Sequence, residues 1–209
     1  MTRLKLAVLI SGRGSNMETL LKAAAAEPDF PAEPVLVVSN KPDAHGLKIA
    51  EAMGVAAFAI DHRTFGKDRE AFEFHVDATL RGAGVEVIAL AGFMRVLSPW
   101  FVKRWEGRMI NIHPSLLPKY KGLDTHQRAI DEGDTKAGCT VHWVSAGIDE
   151  GEIIAQVSVR ILPGDTADTL AARTLPAEHK LYPQALKIAC KTITVSYTHL
   201  RAHETKANL

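Results

Sequence analysis

The chain is expected to fold as a single α/β domain: a mostly parallel, twisted sheet with helices on both faces and an antiparallel strand pair late in the sequence. Three observations predict this. Short apolar, β-branched runs alternate with segments of helical spacing. One run, Val87-Ile-Ala-Leu-Ala91, is too apolar to keep a wet face. No internal repeat or low-complexity linker divides the chain. In such a fold, right-handed crossovers bring the functional loops to the carboxyl ends of the strands.

Each element has its own signal. Leu6–Ile10 is apolar and ends in Ser11-Gly-Arg-Gly-Ser-Asn16, after which Leu20, Leu21 and several alanines read as a helix. Pro34-Val-Leu-Val-Val-Ser39 predicts a second strand, residues 46–53 a short helix and Val55–Ile60 a third strand. Phe72, Val76 and Leu80 repeat at helical spacing between Lys67 and Arg81. Val87–Ala91 and Met109–Ile112 follow as strands. Cys139–Val144 and Ile153–Val159 flank an acidic, glycine-containing turn and predict the antiparallel pair. A final helix begins near Thr166, with Asp165 or Thr166 as its cap.

Composition narrows the function classes. With 209 residues the chain can bury a core without disulfides or structural metal. The longest apolar stretch, Val87 to Met94, falls far short of the roughly 20 residues that span a bilayer. Lys plus Arg number 25 against 24 for Asp plus Glu, which argues against a nucleic-acid or lipid surface. Two cysteines without a CxxC pattern point to no disulfide framework and no cysteine zinc site, and to a cytoplasmic setting. The early charge and apolar run of residues 1–10 lead into Ser-Gly-Arg-Gly rather than a small-x-small cleavage site, so a buried first strand is expected instead of a signal peptide.

Three segments carry chemistry. In the glycine loop, Gly12 and Gly14 let the backbone approach an anion, and the following helix start offers unpaired N–H groups and a positive dipole end. Met17 stands where a dinucleotide fingerprint needs glycine or alanine, so a phosphate is favoured over NAD, with a plain capped turn as the alternative. In Asn111-Ile-His113, residues two apart on a strand project to the same side. An amide holds a developing oxyanion, and an imidazole moves protons near neutrality. Pro114 and Pro118 stiffen the loop behind them. Asp149, in the late turn, is a carboxylate that near His113 favours the charged imidazole and orients it. His142, mid-strand, is expected to be structural packing.

Together these residues resemble a known family. Ile10-Ser-Gly-Arg-Gly-Ser-Asn16, Ala91-Gly-Phe-Met-Arg-Val-Leu97, Asn111-Ile-His-Pro-Ser-Leu-Leu-Pro118, Gly122-Leu-Asp-Thr-His126 and Gly138-Cys-Thr-Val-His142 occur in the order found in the phosphoribosylglycinamide formyltransferases, folate-dependent enzymes of purine synthesis. The likeness runs from about Leu6 to Cys190. It implies a one-carbon transfer from 10-formyltetrahydrofolate, as co-substrate and without metal, to the amine of glycinamide ribonucleotide. By the same resemblance Asn111, His113 and Asp149 are catalytic, and Gly14, Ser15, Asn16 and Glu178 hold the ribonucleotide. Arg69, Met94, Arg95, Val96 and Leu97 line the folate site with Asn111 and the backbone of Ser145, Ala146, Gly147, Ile148 and Asp149. Small-molecule substrates, no nucleic acid or membrane partner, and a monomer or weak homodimer are expected.

The alternatives are a methionyl-tRNA formyltransferase, a formyltetrahydrofolate deformylase and, from a different class, a Rossmann-type nucleotide-binding protein. The first has a further C-terminal domain for which the chain has no room. The second carries an extra N-terminal domain, whereas here the first strand starts almost at Met1. For the third, Ser39-Asn40-Lys41 supplies no acidic ribose ligand. Two departures from the pattern stand out. Leu175-Pro176-Ala177 precedes Glu178 where the family has a polar residue, and Pro176 is expected to interrupt or kink the helix. After Cys190 the pattern is lost, and Ser196-Tyr-Thr-His-Leu-Arg-Ala-His-Glu-Thr205 looks like translated adaptor DNA. A formyltransferase domain over 1–191 and a non-native, disordered tail over 192–209 are therefore expected, with His199 and His203 not a metal pair.

Overall fold

Strand β1 (Leu4–Ile10) is the centre of the architecture because it is apolar on both faces, with every residue from Leu6 to Ile10 buried. In this computed structural model, which describes residues 3–207 and their side chains through Ser196, β1 pairs in parallel with β2 (Ala32–Ser39) on one side and β4 (Val87–Leu90) on the other. Beyond β2 lies β3 (Ala56–Ala59), and beyond β4 lies β5 (Met109–His113), both parallel. Then the direction reverses: β6 (Lys136–Trp143) is antiparallel to β5, and β7 (Ile153–Arg160) is antiparallel to β6. The seven-stranded order is β3-β2-β1-β4-β5-β6-β7. The expected fold class is the one observed. The antiparallel portion is larger than expected, since β6 opposes β5 as well as β7.

Alternation along the central strands divides the core into two layers. Leu6, Val8 and Ile10 face a cluster with Met17, Leu20 and Leu21 of α1 (Ser15–Ala26), Leu47 and Ala50 of α2 (His45–Ala52), and Tyr182 and Leu186 of the last helix. Ala7 and Leu9 face the opposite cluster, with Phe72, Val76 and Leu80 of α3 (Arg69–Gly82) and Phe101 and Trp105 of and just after α4 (Pro99–Arg104). Burial of apolar area on both faces is the main stabilising term. It also makes β1 and β4 legible as runs without polar interruption. α4 and α5 (Thr125–Asp131) are short, and their periodicity spans too few residues to register in the sequence.

The last helix departs most from expectation. α6 (Ala167–Ala207) begins one residue after its cap, where the Thr166 hydroxyl accepts from the Thr169 N–H at 3.2 Å. It then runs through Pro176, and through Pro183 as well, without interruption. Packing explains the tolerance. Thr174, Leu181, Tyr182, Ala185, Leu186, Ala189 and Cys190 are all buried, so tertiary contacts outweigh the cost of about 3 kcal/mol per internal proline. Nor does the helix stop at residue 191: Ile193 is 3% exposed and joins the same core. The expected non-metal pair His199 and His203 lies outside the described side chains. No helix among the described residues is long and apolar enough to cross a membrane.

One polar bond ties α6 to the sheet centre: the fully buried Tyr182 hydroxyl donates to the Leu90 carbonyl at 2.7 Å. Tyr182→Phe strands that carbonyl and is expected to cost about 1–2 kcal/mol in urea unfolding. An unchanged unfolding midpoint would show that water replaces the phenol.

Candidate active site

The carboxyl ends of β1, β4 and β5 open on the same edge of the sheet, and the predicted segments converge there. After β1 the chain turns through Ser11–Gly14 into α1. Gly14 has φ 79°, and a β-carbon on it would lie 2.8 Å from the Gly46 α-carbon. Only glycine meets both demands, so this loop hugs the start of α2. Gly14 is also the helix N-cap, and no side chain caps it. The first N–H groups of α1, on Ser15 and Asn16, are therefore left for a ligand, as an anion site requires.

Asn16 does not cap the helix. Its Nδ2 donates to Glu178 Oε2 at 2.7 Å, linking α1 to α6. Its Oδ1 is buried without a partner, an unusual expense for a folded chain unless something else donates to it. Burial pushes the Glu178 carboxyl up, against the opposing effect of the Asn16 bond. Gly14, Ser15, Asn16 and Glu178 are thus brought together, with Pro176 two residues before Glu178 in the same helix.

The second convergence is at β5. Asn111 and His113 share a side of the strand, as alternation demands, and both reach Asp149 in the β6–β7 turn. His113 Nδ1 lies 3.3 Å from Asp149 Oδ2, and Asn111 Nδ2 lies 3.5 Å from Oδ1. The Gly122 N–H donates to Oδ2 at 2.9 Å. Asp149 adopts a left-handed backbone (φ 52°), which turns its side chain inward across the loop. Burial pushes its carboxyl up, but the His142 and Gly122 hydrogen bonds and the neighbouring imidazoles outweigh this, and it sits below the ordinary value of 3.8. The carboxylate is therefore held ionised.

His113 is only 5% exposed, and its Nε2 lies 2.9 Å from the Tyr120 carbonyl. One ring nitrogen thus faces a carbonyl and the other a carboxylate. Both neighbours are acceptors, and together they fix the orientation of the ring.

His142 is the residue that sequence reasoning missed. It is buried, as expected, but its partners belong to the site. Nδ1 donates to the Trp143 carbonyl at 2.8 Å, and Nε2 lies 3.3 Å from Asn111 Nδ2 and 3.5 Å from Asp149 Oδ1. The signal was pairing: in the β5–β6 register Asn111 stands directly opposite His142. His126, also near His113, has its Nε2 buried without a partner, and burial together with the His113 charge pushes its pKa down.

The predicted folate strip borders this cluster. Met94 and Val96 are exposed at 69% and 54%, and Ile148 at 55%, so apolar side chains rim a buried polar centre. Leu97 packs into the core, and Ser98 caps α4 while donating to the buried Glu73. Ser11 joins the strip to the glycine loop: its hydroxyl accepts from the Met94 N–H at 2.8 Å and donates to Asn40 at 2.5 Å. Arg95 lies over the Phe72 ring at 5.1 Å, with its Nε buried and unpartnered. Ser145, Ala146 and Gly147 form the approach to Asp149. Arg69 stands exposed on the first turn of α3, and among the described residues no hydrogen bond or ion pair joins it to the cluster. No group of three or more His, Cys, Asp or Glu among the described residues is placed to hold a metal ion.

Comparison with known proteins identifies the family. The family model described as "Formyl transferase" matches residues 4–186. The chain is 42% identical to the phosphoribosylglycinamide formyltransferase of Haemophilus influenzae, over 88% of this chain and 85% of that protein. It is 47% identical to the trifunctional purine biosynthetic protein adenosine-3 of Gallus gallus, over 89% of this chain but 18% of that much longer protein. A crystal structure of phosphoribosylglycinamide formyltransferase from Brucella melitensis superimposes with a TM-score of 0.85 at 51% identity, covering 90% of this chain and 96% of that one.

Burial of Glu178 carries a pH signature. A carboxyl raised above its ordinary 4.5 contributes stability that is full below that value and lost as pH rises through the folded value. Glu178→Gln keeps an acceptor for Asn16 and removes this loss. Its stability relative to wild type is expected to improve between pH 4 and pH 7 in urea titrations. A pH-independent difference would place the carboxylate in water instead.

Proposed function

The chain belongs to the formyl transferase family, and on that premise we propose that it transfers the formyl group of 10-formyltetrahydrofolate to the amine of glycinamide ribonucleotide, a step of purine biosynthesis. The observation that carries this reading is the Asn111–His113–Asp149 cluster, buried at a strand's carboxyl end between an uncapped helix N-terminus and an apolar rim. Relatives named as phosphoribosylglycinamide formyltransferases match over most of their own length, which supports the same reading.

The chemistry follows from the donors available. The neutral amine attacks the formyl carbon, and the carbonyl π pair moves onto oxygen. The Asn111 amide and the positive edge of His113 stabilise that charge. Collapse of the tetrahedral species breaks the bond from carbon to the folate N10. The amine loses one proton and N10 gains one, and Asp149 relays the proton through water. An amine is already a competent nucleophile, so no covalent enzyme intermediate is required.

Asn16 Oδ1 and Arg95 Nε, both buried and unpartnered, fall one in each of the two substrate sites, the ribonucleotide's and the folate's. The uncapped N–H groups of Ser15 and Asn16 suit a phosphate. The Met94–Val96 strip and the backbone of Ser145–Asp149 suit a flat pterin, its ring edges read by main-chain groups. Arg69 and Arg95 offer charges to the folate carboxylates. We place the activity in the cytoplasm, in a monomer or weak homodimer, acting on small molecules and without nucleic acid or membrane.

Formyl transfer dependent on both substrates, followed spectroscopically, tests the reading directly. Thermal stabilisation by NAD, with none from a reduced folate plus glycinamide ribonucleotide, would sink it. His113→Ala and Asp149→Asn are each expected to lower kcat by about 10²–10⁴-fold while ribonucleotide binding survives. Near-wild-type turnover in His113→Ala removes the imidazole from the chemistry. Gly14→Val, forced against Gly46, is expected to weaken ribonucleotide binding, and unchanged affinity moves the phosphate elsewhere.

A further inference from the structure

We propose that Tyr120 is a positioning residue for this reaction, and that the surface carboxylate of Asp134 acts on His113 through it. The inference rests on the formyl-transfer reading for its kinetic consequence but not for its geometry. The Tyr120 carbonyl is the acceptor 2.9 Å from His113 Nε2. That carbonyl faces the imidazole because Tyr120 occupies the left-handed region, with φ 56°, which a bulky residue adopts only when its surroundings impose it.

What imposes it is a clamp on the ring. The Tyr120 hydroxyl donates to Asp134 Oδ2 at 2.7 Å. Lys119 Nζ reaches both oxygens of the same carboxylate, at 2.7 and 2.8 Å. The guanidinium of Arg128 lies 5.2 Å from the ring centre and also donates to the Lys121 carbonyl at 2.7 Å. On the inner side, Ser115 Oγ donates to the Lys119 carbonyl at 2.7 Å, which fixes the peptide that enters Tyr120.

The loop therefore has two anchored ends and one turned residue between them. The ring is held from the surface, the preceding peptide is held from within, and the carbonyl is left pointing at His113. This contact occupies Nε2 and leaves Nδ1 for Asp149, so it sets which edge of the imidazole faces each neighbour. Loosening the ring lets the carbonyl swing, and the imidazole follows. A misplacement of about 1 Å is enough to cost about 10²-fold in rate. Neither Tyr120 nor Asp134 needs to touch a substrate for this to happen.

The test uses the full chain. Tyr120→Phe keeps the ring and removes the hydroxyl. It is expected to lower kcat about tenfold while both KM values stay within about twofold, and to shift or broaden the His113 Nε2–H resonance in nitrogen-15 spectra. Asp134→Ala should do the same, and Asp134→Glu, which returns a carboxylate, should recover most of kcat. Wild-type kcat and an unchanged His113 resonance in Tyr120→Phe overturn the proposal. So does a fall in kcat accompanied by lower thermal stability and an unchanged resonance, since the role is then only structural. If the wild-type chain transfers no formyl group, the reaction is misassigned, and the resonance alone decides: identical spectra for wild type and Tyr120→Phe refute the clamp.

Discussion

A single carboxylate gathers the working end of this molecule. Asp149 lies in a turn between two antiparallel strands, yet its oxygens are approached by the main chain at Gly122, by the amide of Asn111 and by the imidazoles of His113 and His142. These groups come from β5, from the loop after it, from β6 and from the turn itself. The β5–β6 register sets Asn111 opposite His142, and the β6–β7 turn folds back so that Asp149 reaches both Asn111 and His113. The left-handed backbone of Asp149, with φ 52°, is the local strain that completes this arrangement.

The central strands were readable in the sequence because burial on both faces leaves nothing polar to confuse the pattern. The Asn111–His113 pair was readable for the opposite reason, as two polar residues at alternate positions in an otherwise apolar run. Asp149 was less so. An acidic residue in a glycine-containing turn has an ordinary explanation, and the likeness to a family strengthened the reading of it as a partner for His113. His142 was read as packing, and it is buried. Its role depends on strand register, which a one-dimensional pattern does not encode. Tyr120 gave no signal either, because its contribution comes from the backbone carbonyl. Pro176 was expected to break a helix that continues because α6 packs along the sheet over many turns, so a local preference was overridden by tertiary contact.

The glycine loop and the apolar strip are also joined mechanically. Ser11 stands at the end of β1 and bonds to both Asn40 and the backbone of Met94, so the glycine loop and the apolar strip share one small polar hinge. Its partners are buried or part-buried, and a hydroxyl in that setting is costly to leave unsatisfied. Buried Ser11, Ser39, Asn40, Ser98 and Ser115 all stand at such junctions, whereas the interior of β6 carries Thr140 and His142.

The contact between Gly14 and Gly46 limits how the site can change. A methyl group on Gly14 meets the Gly46 backbone, and one on Gly46 meets the Ile10 side chain at 2.5 Å and the Gly14 α-carbon at 3.1 Å. Neither position can acquire a side chain while the other stays as it is, so the glycine loop and the first turn of α2 are held as one unit. Redesign for a different nucleotide therefore has little room on the α1 side. On the α6 side the loop meets the Glu178 side chain rather than backbone, so a single change there alters the chemistry without moving the frame.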